Sequence, residues 1–350
     1  MYLNFGKVRP HLTTRSLNPE NQETPIHFIS FLQPVAEPLF YRRNHFPYPI
    51  LTPDSFTLTI SGSVDHALQI HYSDFLKLSS QSNRVLIECS GNKRASFKEK
   101  VFGEQWEDGA MGEGIWKGVP LKTLLEYTGI KEGVSDVVFR GRDAGIKNSK
   151  YVHFERSLPI AKALNPDVIV AYEYNGKPIP HKHGFPFRLI VPGWYGMASI
   201  KWLNEIILIN DKFTGPFQSD DYVYYYKNGT SEPVTTNRVN STIQQPLDRQ
   251  LVKSGTYEIR GIAWTGSGVI AKVEISFDKG ANWEQARLDN PPVEHQTVSW
   301  SYAKEFKPGN VYDISVRATD SEGKTQPSEA VWNEKGYGYN AVMRITVKAE

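Results

Sequence analysis

The first half of the chain carries both strand-like and helix-like patterns of apolar residues. "FTLTISGSV" (56–64) alternates apolar and polar positions as a half-buried strand does, and "DVVFRG", "VIVAYEYNG" and "FRLIVPG" are further strand-like runs. "VPLKTLLEYTGI" (119–130) has the spacing of a short amphipathic helix that ends at a glycine, and "LPIAKALN" is a second helical candidate. These patterns predict a domain that mixes α and β structure.

The N-terminal segment is different. Residues 1–55 contain many Pro, Asn and aromatic positions without a sustained period. Because such a segment lacks an apolar face of its own, we expect residues 1–30 to form an extended N-terminal arm that lies over the core.

The second half is patterned as short strands. Around residues 210–245 the sequence becomes aromatic and then polar with proline, as at a crossing between domains. Beyond it, alternating runs such as "TYEIRGIAWTG" and "QTVSWSYAKEF" are separated by the turn sequences "DKGANW" and "DSEGK", without a helical pattern. We predict an α+β domain over residues 1–225, followed by an all-β immunoglobulin-like sandwich over residues 226–350.

Composition agrees with two domains and narrows the class of protein. A chain of 350 residues exceeds the size at which one hydrophobic core usually stops growing. The formal net charge is +2, too small to indicate a nucleic-acid or membrane partner through bulk electrostatics. The chain begins without the apolar core of a secretory signal and has no apolar run of membrane-spanning length. We therefore expect a soluble cytoplasmic protein; a periplasmic location would follow if an export signal had been removed.

The single cysteine is the first candidate for chemistry. One cysteine excludes an intramolecular disulfide. Cys89 follows the apolar run "VLI" and precedes Lys93 and Arg94, whose positive charges are expected to stabilise a thiolate. A thiolate suits a nucleophile or a soft metal ligand, whereas a lone cysteine is more commonly a buried structural thiol. No orienting His/Asn pair can be named for a papain-like nucleophile.

Other motifs leave alternatives open. His181 and His183 have the H-x-H spacing of a zinc pair, but a third and a fourth ligand are not evident. Arg43, in a double arginine, has the alternative interpretation of a solvated surface charge. "GAMGEG" (109–114) does not have the spacing of a nucleotide-binding glycine loop.

Several segments together resemble the sulfite oxidase family of molybdenum enzymes. "IECSGNKR" (87–94) is similar to the family's cysteine loop, whose usual form is closer to C-A-G-N-R-R. "FYRRNHFPYP" (40–49), "VAYEYNGKPIPHKHGFPFRLIVPG" (170–193) and "GMASIKWL" (196–203) follow in the family's order. "GIAWTGSGVIAKVEISFDKGANWEQARL" resembles the immunoglobulin-like dimerisation domain that follows the molybdenum domain, so the resemblance spans residues 30–350.

The resemblance implies a molybdenum–molybdopterin cofactor and a set of residues around it. Cys89 is implied as the thiolate ligand of the metal, a soft ligand that suits this site. Arg188 and Lys201 are implied as phosphate anchors. By motif position, the cofactor-binding residues are Arg43, Asn44, His45, Cys89, Asp143, His183, Arg188, Ser199, Ile200 and Lys201.

The resemblance also implies a reaction, the oxidation of sulfite to sulfate by oxygen-atom transfer. Arg43 and Arg94 would hold the oxyanion, Tyr172 would donate a hydrogen bond near the reacting oxygen, and Trp106 would form a wall of the pocket. A haem is not expected, because one cysteine cannot form C-x-x-C-H and no segment is long enough for a fused cytochrome b5-like domain. A separate acceptor such as a cytochrome is therefore expected, together with a homodimer formed through the second domain.

The chain departs from the family pattern at the substrate side. "GMASIKW" stands where G-A-R-x-V-K-W is usual, so Ala198 occupies the position of an expected substrate-binding Arg, and Lys93 replaces an Arg in the cysteine loop. This leaves two alternatives to sulfite oxidation: a molybdenum reductase that acts on a sulfoxide or N-oxide, and a non-catalytic binding module that keeps the fold. Arg43, Arg94 and Tyr172 favour the oxidase, and Cys89 argues against the binding module.

Overall fold

The computed structural model describes residues 11–29, 34–52 and 56–350. The strands are β1 Thr13–Leu17, β2 Glu20–Glu23, β3 Thr57–Gly62, β4 Leu68–His71, β5 Gln81–Glu88, β6 Met111–Pro120, β7 Asp136–Lys147, β8 Lys150–Pro159, β9 Ile169–Tyr174, β10 Lys177–Pro178, β11 Arg188–Ile190, β12 Leu203–Ile209, β13 Val223–Tyr225, β14 Ser231–Pro233, β15 Asn240–Gln245, β16 Leu251–Val252, β17 Gly255–Trp264, β18 Ile270–Ser276, β19 Glu284–Gln285, β20 Arg287–Leu288, β21 Val298–Phe306, β22 Val311–Asp320 and β23 Met343–Ala349. The α-helices are α1 Ile26–Ile29, α2 Tyr72–Phe75, α3 Leu121–Thr128, α4 Ile160–Ala163 and α5 Pro216–Ser219.

The first unit is built on two sheets. One has the strand order β10-β9-β6-β5 with β11 paired to β9, and the other has the order β4-β3-β12-β7-β8. The predicted strands are present, and the predicted helix is α3, which ends at Gly129 with φ +70°. A left-handed residue after the last turn favours glycine, which explains the end of the helix. The second helical candidate forms only the single turn of α4.

The sheet that carries the cysteine is buried on both faces. Side chains alternate along β9, so that Val170 and Tyr172 join the core between the two sheets, while Ile169 and Ala171 join a second core on the other face. Cys89 belongs to the second core, directly after the end of β5. This sheet therefore holds the cysteine loop on a support that packs on both sides.

The second unit is a sandwich of two sheets. The sheet β15-β17-β21-β20 faces the sheet β16-β23-β22-β18-β19 across one apolar core, which includes Ile259, Ile275, Trp300 and Val347. Residues 226–350, all of which the structure describes, contain no helix. The predicted α+β fold followed by an all-β sandwich is thus confirmed. The division after residue 225 stays a prediction, because the hairpin β13–β14 spans it.

The N-terminal arm is a hairpin where the structure describes it. β1 and β2 pair antiparallel within the segment that was predicted to be extended. The hairpin docks on the first unit because the Asn21 side chain accepts the Asn44 N–H at 2.7 Å and the buried Glu23 carboxylate accepts the N–H groups of Glu107 and Gly109, both at 3.0 Å. Residues 1–10 of the predicted arm lie outside the described residues.

Residues 11–29, 34–52 and 56–350 contain five α-helices of four to eight residues each. None of their helices combines the length and the apolar character that crossing a membrane requires.

Candidate active site

Cys89 lies at the start of a tight loop that the backbone closes on itself. The Cys89 N–H donates to the Ala110 carbonyl at 2.9 Å, and the Cys89 carbonyl accepts the Asn92 N–H at 2.9 Å. The Asn92 side chain accepts the Ala110 N–H at 3.0 Å, and Arg94 N–H donates to the Gly91 carbonyl at 3.0 Å. The thiol is 7% exposed and faces a cavity.

This cavity includes about 620 Å³ of empty space, part of which is open to solvent. It brings together eight of the predicted site residues from segments that are far apart in the sequence: Arg43, His45, Cys89, Asp143, His183, Arg188, Ser199 and Lys201.

The cavity lining is strongly cationic. Of its described residues, five are Arg or Lys and one is an acid, Asp143. Two of the cations, Arg42 and Lys182, were not predicted as site residues. Both bind Glu20 of the N-terminal hairpin, at 3.1 Å from Arg42 and 3.0 Å from Lys182. A site with this charge balance favours an anionic ligand.

Four buried polar atoms around the cavity have no hydrogen-bond partner within the described part of the chain. They are Ser90 Oγ, Asp143 Oδ1, His183 Nε2 and Arg188 Nε. Buried polar groups in proteins are normally paired, because an unpaired one costs about 1 to 3 kcal/mol. Four such atoms around one cavity would be satisfied by a polar ligand, or by water, that supplies both donors and acceptors.

Asp143 and Lys201 form a buried pair of opposite charge in this lining. Burial raises the pKa of Asp143, and the nearby Lys201 opposes that shift. Burial also lowers the pKa of Lys201, and Asp143 opposes that shift. The Lys201 ammonium donates to the Arg43 carbonyl at 3.0 Å and to the Asn44 side chain. Asn44 lies behind the cavity wall, where it holds Lys201.

The two histidines of the lining are neutral near pH 7. Burial lowers the pKa of His45 well below its usual value, and the nearby Arg43 adds to the shift. Burial and Arg188 have the same effect on the pKa of His183. Both rings can therefore act as neutral hydrogen-bonding groups beside an anion.

Tyr222 is the main functional candidate that the sequence interpretation missed. It lines the cavity, and its hydroxyl lies 2.6 Å from His45 Nε2. Its ring stacks on Tyr337 at 5.3 Å between centroids, and burial raises its pKa. The segment "YVYYYK" gave a signal, a dense aromatic cluster, but it was interpreted only as a crossing between domains.

Tyr172 requires a correction. It was predicted to reach the reacting oxygen, yet it lies in the core between the two sheets, with its ring 5.5 Å from the Lys117 ammonium and 6.2 Å from the Phe75 ring. The reason is the alternation along β9, which turns Ala171 towards the Cys89 side and Tyr172 away from it. Tyr172 does not line the cavity.

Arg94 also differs from its predicted role. Its guanidinium is buried and donates to the carbonyls of Lys335 at 3.1 Å and Glu104 at 2.8 Å, and it lies over the Tyr337 ring. It is close enough to Cys89 for the two charges to interact but does not line the cavity. Two of its donors are thus used to hold the protein backbone rather than left free for a substrate.

Trp106 and Ile200 are buried behind the cavity. Trp106 packs in the same core as Cys89, without contributing to the lining. Ile200 packs in the core between the sheets, and its carbonyl accepts the Leu189 N–H at 2.8 Å. Both therefore support the site and do not contact its interior. Ser199 lines the cavity, but its hydroxyl already accepts the Val191 N–H at 3.1 Å.

Lys93 points away from the thiol, against expectation. Its ammonium donates to the Asn240 side chain and to the Ser241 carbonyl, both at 2.8 Å, in the second unit. Burial raises the pKa of Cys89, and the charges that oppose this shift are those of Arg43 and Arg94. Arg43 therefore takes the role that was predicted for Lys93.

Ala198 is not at the cavity surface. It is 3% exposed and packs in the core between the sheets, while its neighbours Met197 and Ser199 line the cavity. Ala198 therefore contributes no side chain to the lining.

The zinc alternative finds no support in residues 11–29, 34–52 and 56–350. Those ranges contain no cluster of three or more His, Cys, Asp or Glu side chains that could hold a metal ion.

Comparisons with known proteins point the same way. The family model for the oxidoreductase molybdopterin binding domain matches residues 45–217, and that for the Mo-co oxidoreductase dimerisation domain matches residues 232–350. Mitochondrial sulfite oxidase of Rattus norvegicus is 30% identical over 99% of this chain, which spans 67% of that protein's length. Sulfite oxidase of Arabidopsis thaliana is 31% identical over 97% of this chain and 94% of its own length.

A solved structure has the same fold. The sulfane dehydrogenase SoxCD from Paracoccus pantotrophus aligns with a TM-score of 0.86 over 99% of this chain and 92% of that chain. At 23% sequence identity, this likeness concerns the fold alone.

Proposed function

Because this chain belongs to the sulfite oxidase family of molybdopterin-dependent oxidoreductases, we propose that it oxidises sulfite to sulfate and passes the electrons to a separate acceptor such as a cytochrome. The observation that carries the proposal is the cavity itself, in which the Cys89 thiol faces a lining of five cations and one acid. A soft sulfur ligand beside a cationic pocket suits a metal centre that acts on a small oxyanion.

The residues present fit a molybdenum–molybdopterin cofactor. Cys89 would bind the metal, and Arg188 and Asp143 each offer a buried polar atom that has no hydrogen-bond partner among the described residues. His183 adds its Nε2 atom, which lies 3.8 Å from the Glu37 carboxylate. Lys201 adds a point charge for a phosphate. When bound, the cofactor supplies a two-electron metal centre that can transfer an oxygen atom to sulfur.

The substrate would be held by the protein's own charges. Arg43 lines the cavity, interacts electrostatically with Cys89, and lies 3.3 Å from both ring nitrogens of His45. Its cation and the hydroxyl of Tyr222 can both point at the oxygens of an anion, since burial keeps the Tyr222 hydroxyl protonated. In the tautomer that carries the proton on Nε2, His45 donates to the Tyr222 oxygen at 2.6 Å, which leaves the hydroxyl proton free for the anion. We therefore assign to Tyr222 the role that the sequence interpretation gave to Tyr172.

The charge of the lining favours this function over a reductase that acts on a sulfoxide or N-oxide. A sulfoxide or N-oxide is neutral overall and gains little from several surrounding cations, whereas sulfite gains directly. A second copy of the chain is proposed as the dimer partner, through the second unit, on the strength of the matched dimerisation domain.

The test is turnover with metal analysis on the same sample. We expect purified protein to contain molybdenum and pterin in equal amounts and to reduce an artificial acceptor such as ferricyanide only when sulfite is added. Cys89→Ser, which replaces a soft ligand by a hard one, is expected to abolish turnover while circular dichroism stays unchanged. Molybdenum-loaded protein that ignores sulfite but reduces a sulfoxide with a viologen donor would establish the reductase instead.

A further inference from the structure

The cysteine loop, defined as residues 88–94, is enclosed by both units of the protein. The first unit closes it through backbone hydrogen bonds to Glu107 and Ala110. The second unit contacts it through side chains and backbone at both ends and in the middle. Glu88 and Lys93, which make two of these contacts, are both 2% exposed.

The first contact joins Glu88 to Trp264. One oxygen of the Glu88 carboxylate accepts the Trp264 indole N–H at 2.9 Å, and the other accepts the Asn92 amide at 3.1 Å. Glu88 is 2% exposed. Since the Asn92 side chain also accepts the Ala110 N–H, Trp264 is linked through two side chains to the backbone turn that carries Cys89.

The second contact is made by Lys93. This residue is 2% exposed and has φ +62°, a left-handed conformation that is unfavourable for a residue with a side chain. Its ammonium binds Asn240 and Ser241 and lies 5.3 Å from the centre of the Trp264 ring. Burial of an ammonium group is tolerated only where its N–H donors form hydrogen bonds. Both oxygen atoms that accept from Lys93 belong to the second unit.

The third contact comes from the segment 335–338. The Gly338 N–H donates to the Ser90 carbonyl at 2.7 Å, directly after the cysteine. The Lys335 carbonyl accepts the Arg94 guanidinium, which also lies 5.2 Å from the centre of the Tyr337 ring. The residues on either side of Cys89 and at the end of its loop are therefore all fixed by the second unit.

We propose that the second unit is the positioning device for the Cys89 sulfur: Trp264, Asn240 and the segment 335–338 clamp the cysteine loop and set where the thiolate points before any metal binds. This goes beyond a role in dimerisation. It rests on the proposed function only in taking Cys89 as a metal ligand, because the clamp itself is a property of the protein alone. Trp264 and Lys93 are positioning residues and do not touch the substrate.

A pair of matched tryptophan variants tests the clamp. Trp264→Phe keeps an aromatic ring, although a smaller one, and removes the indole N–H that Glu88 accepts. Trp300→Phe is the control, because Trp300 is fully buried in the same unit and its indole N–H has no partner among the described residues. In metal-free protein, we expect amide hydrogen exchange in residues 89–94 to become about tenfold faster in Trp264→Phe and to stay unchanged in Trp300→Phe.

Alkylation of the thiol gives a second readout at one defined site. Cys89 is the one cysteine of the 350 residues, so mass spectrometry of the intact protein reports on it alone. We expect iodoacetamide to modify Cys89 about tenfold faster in Trp264→Phe than in Trp300→Phe. Equal exchange and equal alkylation in the two variants would overturn the proposal.

Lys93 gives an independent test, since Trp264 also packs against Leu86 and Met111 and its loss affects that cluster. Lys93→Met removes the donors to Asn240 and Ser241, and Lys93→Arg keeps both a charge and several donors. We expect faster exchange of the loop in Lys93→Met and recovery in Lys93→Arg. Loop exchange that is unchanged in Lys93→Met would contradict the clamp.

The holoenzyme separates positioning from general stability. In protein loaded with molybdenum, we expect Trp264→Phe to shift the electron paramagnetic resonance spectrum of the partly reduced enzyme, and Trp300→Phe to leave it as in the wild type. A loss of unfolding free energy alone would not move this spectrum. Molybdenum content and sulfite turnover of the wild type test the proposed function separately, so either idea can fail without the other.

Discussion

Tyr222, His45 and Arg43 form one hydrogen-bonded group on the wall of the Cys89 cavity. Burial and the charge of Arg43 lower the pKa of His45 and keep its ring neutral. The ring can therefore hydrogen-bond to the Tyr222 hydroxyl without carrying a positive charge that would attract the anionic substrate to itself. Tyr222 is in turn supported from behind by Tyr337 of the second unit. These three side chains are thus hydrogen-bonding groups held in fixed positions around the space for a small anion.

Tyr222→Phe tests this group at the level of one hydroxyl. We expect kcat/KM for sulfite to fall by about 10- to 100-fold, the effect of losing a hydrogen bond to a charged group, with molybdenum content unchanged. Tyr172→Phe is the matched control, because Tyr172 lies in the core between the sheets. The assignment is wrong if Tyr172→Phe is the slower of the two variants.

The buried histidines also predict how stability depends on pH. The pKa of His183 is lowered in the folded protein, so the unfolded chain binds a proton near pH 6.5 that the folded chain refuses. This stabilisation is fully present above about pH 6.5 and is lost as the pH falls towards the folded pKa, by up to about 1.4 kcal/mol per pH unit.

His183→Gln in metal-free protein is therefore expected to reduce the fall in unfolding free energy between pH 6.5 and pH 5. Urea denaturation at several pH values measures it. His66→Gln, at an exposed position, is the control for a His-to-Gln change outside the cavity. A profile that His183→Gln does not alter would show that this ring is not held neutral in the fold.

At the scale of elements, strand periodicity predicted which segments form the sheets but not which face of each strand meets the cavity. Period two assigns residues to alternate faces, and both faces of β9 are apolar, so Tyr172 and Ala171 could not be distinguished from the sequence. The sequence also could not predict where the Lys93 side chain points, because its partners Asn240 and Ser241 lie in the other half of the chain. Cys89 was identified because its loop is a local motif that needs no distant partner.

Arg94→Met tests the revised role of a loop residue. The guanidinium donates to two backbone carbonyls and lies over Tyr337, so its loss should leave acceptors unpaired and lower the unfolding free energy by about 1 to 3 kcal/mol. Converted to free energy, the change that Arg94→Met causes in KM for sulfite is expected to be smaller than this loss of unfolding free energy. A sharp rise in KM for sulfite, with the unfolding free energy unchanged, would support the predicted role of Arg94 in binding the substrate.

At the scale of the whole molecule, a nearly neutral chain concentrates positive charge in one cavity. The net charge is +2, but the described lining holds five cations against one acid. Part of this charge is balanced by Glu20 from the N-terminal hairpin, and the second unit supports the loop that carries Cys89. The N-terminal hairpin and both units therefore all contribute residues that form or support the site.

Ionic strength provides the test at this scale. We expect KM for sulfite to rise several-fold between about 20 and 200 mM salt while kcat changes little, because screening weakens the attraction between the cavity and an anion. Chloride and acetate salts should act alike, which controls for a specific ion. A KM that is independent of salt would favour a neutral substrate.

The most direct test of the account is the metal environment, measured by X-ray absorption at the molybdenum edge on wild-type protein and on Cys89→Ser. If Cys89 is a ligand, the wild-type spectrum must require one more sulfur neighbour than the spectrum of Cys89→Ser, and metal loading must protect the wild-type thiol from alkylation. Equal numbers of sulfur neighbours, with molybdenum retained in both proteins and a thiol that stays reactive, would contradict it.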